Sequence, residues 1–153
     1  MDVHIKKAIP ADMPALLNLI RELASYEQAP EKVLLSEETL LRDAAADPPC
    51  FHCLIALSGE EILGFCLSWF RYSTWRGRLL YVEDLYVREV YRRKGIGKLL
   101  LDEMLQYAAD QRIGYVHLQV LDWNQLAIDF YRKHYQPEFD NTWINVLIPV
   151  PAE

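Results

Sequence analysis

The sequence predicts a mixed α/β fold: a twisted, mostly antiparallel sheet flanked by helices, in one domain over residues 1–153. Three observations predict it. Residues 79–87 are an apolar, aromatic and β-branched run, the signature of a strand. A basic turn with Gly95 and Gly97 follows, and it opens a segment where Leu100, Leu101, Met104, Leu105 and Ala108 recur at helical spacing. Other strand-like and helix-like runs then complete the order β-α-α-β-β-β-α-β-α-β, with no linker, repeat or low-complexity stretch between them.

The elements follow in chain order. Residues 3–8 form a short first strand. Pro10-Ala11-Asp12 starts a helix whose apolar face is Leu16, Leu19, Ile20 and Leu23, ending near Tyr26 and Glu27 before Pro30. Ser36 is placed to cap a short second helix, with Glu37 and Glu38 in its first turn and Pro48-Pro49 beyond it. Residues 51–57 and 61–72 are strands joined by a tight turn at Ser58-Gly59-Glu60. After the central strand and long helix, residues 115–120 form another strand. Asp122-Trp123-Asn124 caps a helix running to about His134, and residues 143–148 form a closing strand. Strand-helix-strand units require right-handed crossovers, which fixes a mixed sheet with helices against it.

A chain of 153 residues with 52% hydrophobic content can bury one substantial core. The formal net charge of -6 argues against a nucleic-acid partner and suits cationic substrates. Cys50 and Cys53 have C-x-x-C spacing, but only four His accompany the three Cys, and Cys53 and Cys66 lie in strand-like runs. The three are read as buried free thiols of a reducing compartment, with no metal site. No leader-like segment or bilayer-length apolar run is present, so the expected location is cytoplasmic without a membrane partner.

The basic turn carries the chemistry. A helix N-terminus bears partial positive charge, yet Arg92, Arg93, Lys94 and Lys98 crowd this one. Alone, the short Gly motif leaves a solvated basic loop and a phosphate site equally open. So many cations at one helix start in an acidic chain favour an anion resting on the free amides. A Walker A loop would need Gly at Arg92 and Ser or Thr at Leu99; a dinucleotide loop would need Gly at Leu100. What remains is Arg-x-x-Gly-x-Gly after a strand ending in Leu85-Tyr86-Val87.

That unit resembles the coenzyme A pyrophosphate loop of the GNAT-type N-acetyltransferase superfamily, and the element order is similar to the GNAT acyl-CoA N-acyltransferase fold across nearly the whole chain. Within it, Tyr72-Ser73-Thr74-Trp75, Tyr81-Val82-Glu83-Asp84, Val120-Leu121-Asp122-Trp123-Asn124-Gln125 and Phe130-Tyr131 resemble the diamine acetyltransferase family. Ser73 and Thr74 stand where polyamine enzymes carry an Asp before the Trp, which favours the thialysine-acetylating branch. Tyr135 replaces a Gly of that family.

The resemblance implies acetyl-CoA as cofactor, held by Arg92, Arg93, Lys94, Gly95, Ile96, Gly97 and Lys98, by the backbone of Leu85, Tyr86 and Val87, and by Asn124, Ala127 and Tyr131. It implies Tyr131 as general acid and Glu83 as base acting through water. For an arbitrary helix, Phe130-Tyr131 would read as a core aromatic pair. Glu83 and Asp84 are adjacent on a strand and are expected on opposite faces. Asp84, Tyr26 and Glu27 match residues near the amine, although an ordinary solvated helix end accounts equally well for the last two. Trp75 is expected either to wall the amine channel or to sit at an interface. The implied activity is direct acetyl transfer in a ternary complex to the primary amine of a thialysine-like amino acid, diamine or polyamine, by a homodimer. The alternatives are a non-catalytic acyl-CoA-binding or regulatory module and a protein or peptide N-acetyltransferase.

Overall fold

The structure is a computed structural model that describes residues 1–152. It divides into two compact units, Met1–Leu121 and a second from Asp122 onward, each described by itself. The first holds a five-stranded sheet in the order β1-β2-β3-β4-β5. Its strands are β1 (His4–Lys7), β2 (His52–Ser58), β3 (Glu61–Ser73), β4 (Gly77–Val87) and β5 (Val116–Leu118). Every ladder is antiparallel except the last, β4 with β5. Helices α1 (Met13–Tyr26), α2 (Glu37–Ala44) and α3 (Ile96–Asp110) complete this unit.

Local chemistry sets the helix starts. Ser36 accepts the Thr39 amide at 3.1 Å and caps α2, as its position predicts. Before α1, Asp12 accepts the Ile9 amide at 2.8 Å and pairs with Lys6 at 3.0 Å. Leu16, Leu19 and Leu23 of α1 are buried with Leu40 of α2 against Cys53, Ile55, Phe65, Leu67 and Tyr86 of the sheet. The other sheet face meets α3. Ser68, next after Leu67, lies 3.2 Å from the Met104 sulfur, and His52 stacks on Tyr107 at 3.8 Å. Period-2 alternation thus separates an α1 face from an α3 face. Burying Leu100, Leu101 and Met104 stabilises this layer by roughly 2 kcal/mol per side chain.

Three expectations need correction. Cys53 and Cys66 are buried free thiols, but Cys50 is exposed, because it sits in the loop before β2 rather than in a strand. The strand expected at 115–120 is shorter, Val116–Leu118. Residues 143–148 form no strand. Backbone groups need a ladder partner to make one, and the described sheet ends at β5. The second unit contains α4 (Gln125–Tyr135), capped by Asn124, whose side chain accepts the Ala127 amide at 3.2 Å.

Candidate active site

β4 leaves the sheet partly unpaired. Its pairing with β5 runs only from Leu80↔Val116 to Val82↔Leu118, while its pairing with β3 continues to Gly64↔Val87. Beyond Val82 one edge of β4 therefore carries no ladder among the described residues. The bonding phase tells which groups face that edge. Arg88 donates its amide to the Leu63 carbonyl at 2.9 Å, and hydrogen-bonded pairs alternate in an antiparallel ladder. Tyr86 therefore turns its backbone to Phe65, and Leu85 and Val87 turn theirs to the open edge. Of the three backbones expected to pair with a cofactor arm, two face the gap.

A bulge interrupts β4 beside that gap. Asp84 opposes Leu67 and Val82 opposes Ser68, so Glu83 is the extra residue. Leu67 belongs to the α1 face, which places Asp84 there. Glu83 accepts a hydrogen bond from the Trp69 indole at 2.9 Å, and Trp69, two residues from Leu67, shares its face. The two carboxylates thus lie on one face, contrary to the alternation expected from sequence. The cause is the inserted residue, which resets the period.

Burial and then the charges of Glu83 and Glu27 push the Asp84 carboxyl up to about 7. Burial also raises Glu27, the C-cap of α1, so this helix end is not freely solvated. Glu27, Glu83 and Asp84 form one electrostatically linked acidic group. Tyr26, beside Glu27, is covered by Arg92, whose guanidinium lies 4.3 Å from its ring centroid.

The turn after β4 divides its cations. Arg92 points back, donating Nε to the Val87 carbonyl at 2.8 Å. Arg93 and Lys94 are exposed, and Lys98 pairs with Asp102. Gly95 is the N-cap of α3 at φ +79°, a left-handed conformation that favours glycine, and it offers no side-chain cap. Ile96 is buried and anchors the first turn. The opening amides of α3, including those of Gly97 and Lys98, are oriented as in an anion site. An open strand edge leading to uncapped amides flanked by exposed cations can receive an extended polar arm that ends in an anionic group.

Trp75 is 83% exposed in the β3–β4 hairpin, where Ser73 Oγ accepts its amide. At about 3.3 Å per residue, the length of β4 puts the hairpin end roughly 20 Å from Glu83. Within one chain this is a surface position. Asn124, Ala127 and Tyr131 belong to the second unit and share one stripe of α4. Tyr131 also meets Phe130 edge-on at 5.3 Å. Among the described residues, no group of three or more His, Cys, Asp or Glu is arranged to hold a metal.

Sequence reasoning missed Trp69. The signal was present but non-local: Trp69 opposes Tyr81, which precedes Glu83 by two residues on the same strand.

Comparison with known proteins gives this geometry a family. Residues 14–135 match the acetyltransferase (GNAT) family. The chain is 41% identical to the thialysine N-epsilon-acetyltransferase of Bos taurus over 85% of this chain and 81% of that one. It is 38% identical to the spermidine/spermine N(1)-acetyltransferase-like protein 1 of Homo sapiens, over 84% of this chain and 19% of that protein. In fold it is similar to an aminoglycoside acetyltransferase from an uncultured soil metagenomic sample, at a TM-score of 0.79 and 23% identity, covering 97% of each chain. With most of its length matched and its sheet and helices in the family's arrangement, the chain belongs to the GNAT acetyltransferase family and is an N-acetyltransferase.

Proposed function

We propose that the protein transfers acetyl from acetyl-CoA to the primary amine of a small cationic substrate, a thialysine-like amino acid, diamine or polyamine. The observation that carries this reading is the bulge, which sets Glu83 and Asp84 on one face beside the open edge of β4. When bound, acetyl-CoA supplies the activated acyl group as a thioester. Arg93, Lys94, Gly95, Gly97 and Lys98 hold its diphosphate at the start of α3, and Leu85 and Val87 offer backbone amides along its arm. Asp84 and Glu27 attract the substrate ammonium. Glu83 takes its proton through water, leaving a neutral amine able to attack. An amide on the open edge of β4 stabilises the developing oxyanion. Tyr131 protonates the departing sulfur. Neither buried cysteine is assigned an acyl-carrying role: burial pushes the Cys53 and Cys66 thiols up, away from the reactive thiolate.

We read residues 1–153 as one functional domain, acting as a cytoplasmic homodimer. The family match crosses the division at residue 121, and free cysteines fit a reducing compartment. Thiol release from acetyl-CoA, measured over thialysine, lysine, spermidine, a diamine and a lysine-containing peptide, tests the proposal. Release with the small amines and not the peptide is expected. Preference for the peptide would overturn the substrate class, and no release with any would overturn the cofactor.

A further inference from the structure

The indole of Trp69 has a place in the site that the family resemblance did not provide. Its Nε1 donates to Glu83 Oε2 at 2.9 Å, and its ring lies 5.1 Å from that of Tyr81, its cross-strand partner. Glu83 is the unmatched residue of the bulge, so the β3–β4 ladder does not align it as it aligns its neighbours. A glutamate has three side-chain torsions, and an exposed one samples many rotamers. One hydrogen bond from a ring held by cross-strand packing fixes one carboxylate oxygen and leaves the other available. Among the described residues no cation is paired with Glu83: Arg71, the nearby arginine, lies 5.6 Å from the Tyr81 ring and bonds His117 at 3.1 Å.

We propose that Trp69 is a positioning residue for the reaction, holding the Glu83 carboxylate so that its second oxygen faces the amine. This rests on the reading of Glu83 as the base. Trp69 does not touch the substrate; it acts through Glu83. The role is encoded in β3, fourteen residues before the carboxylate it orients, and only the hairpin brings the two together.

A double-mutant cycle tests it. Trp69→Phe keeps an aromatic ring against Tyr81 and removes the N–H. A hydrogen bond to a charged group is worth enough that kcat should fall about tenfold, with the KM for acetyl-CoA within about twofold. In a Glu83→Gln background the same Trp69→Phe change should alter kcat by less than about twofold, because residues acting as a unit are not additive. If the two losses simply multiply, Trp69 is structural and the proposal fails. A Glu83→Gln enzyme that is slow beside a Trp69→Phe enzyme at the wild-type rate removes the positioning role alone. A Glu83→Gln enzyme at the wild-type rate removes the base, and the positioning role with it. Trp69→Leu, read through the same cycle, replaces the Phe variant should that chain not fold.

Discussion

Arg92 donates Nε to the carbonyl of Val87 at 2.8 Å, closing the last acceptor on the open edge of β4. Its guanidinium also covers Tyr26 at 4.3 Å and Tyr86 at 5.5 Å. The first cation of the Arg-x-x-Gly-x-Gly turn therefore ties strand, turn and α1 together, while Arg93 and Lys94 remain at the surface. The two kinds of arginine should fail differently. Arg92→Ala breaks a charge-assisted bond to backbone and should raise the acetyl-CoA KM about tenfold at any salt concentration. Arg93→Ala removes an exposed charge, so its effect should shrink as ionic strength rises. Steady-state kinetics at low and high salt separate them. Equal salt dependence would remove the structural role of Arg92.

Asp84 supplies a pH signature. Its carboxyl titrates at about 7 in the fold, against an ordinary value near 3.8. A primary ammonium stays charged across this range. Rising pH through about 7 therefore creates the anion that attracts the substrate, and the amine KM should fall. Stability moves the other way. Between the unfolded and folded values the native state holds the extra proton, so the stabilisation present at low pH is lost as pH rises through about 7. Asp84→Asn should flatten both trends, read as amine KM and melting temperature from pH 5 to pH 8. A variant keeping the wild-type KM step would assign that step to another group.

Much of this was readable in the sequence, for identifiable reasons. Local signals act where the chain needs no distant partner. Ser36 caps α2, Asn124 caps α4, and helical spacing marks the buried side of α3. The failures are non-local. Strict alternation put Glu83 and Asp84 on opposite faces, but register is a property of two strands, and Leu67 and Ser68 oppose Asp84 and Val82 with Glu83 left over. Residues 143–148 have strand propensity without a ladder in the described sheet. The Trp69–Glu83 bond exists only once β3 and β4 pair.

Gly95 separates conformation from space. A Cβ there would meet nothing within 4 Å, so Gly95→Ala causes no clash. The backbone sits at φ +79°, which side chains disfavour. The variant should lose about 1 kcal/mol of stability, measurable as a shift in denaturation midpoint. It should also weaken acetyl-CoA binding in calorimetry, since the first amides of α3 hang on this turn. Lost stability with intact binding would remove the turn from the cofactor site.

The apolar segment after α4 offers a test of the proposed homodimer. Ile144, Val146, Leu147, Ile148 and Val150 are between 78% and 97% exposed. Apolar stretches of this kind mark association surfaces, and β-prone ones pair with sheet edges. In a homodimer held by this segment, removing residues 142–153 should leave a monomer in analytical ultracentrifugation. A truncated chain that still sedimented as a dimer would place the interface elsewhere.

Tyr131 offers the most direct test of the chemistry. It lies on the stripe of α4 that begins at Asn124, and its ring meets Phe130 edge-on at 5.3 Å. Tyr131→Phe retains that aromatic contact and deletes only the hydroxyl. If the phenol protonates the leaving sulfur, kcat should fall about a hundredfold, the usual scale for a general acid, while the Kd for coenzyme A changes by less than about threefold. The loss should be smaller with an acyl donor whose thiol is more acidic, because a better leaving group needs less help from a proton. Single-turnover rates with the two donors measure this. Equal losses for both, or an unchanged kcat, would return Tyr131 to the role of a packed aromatic.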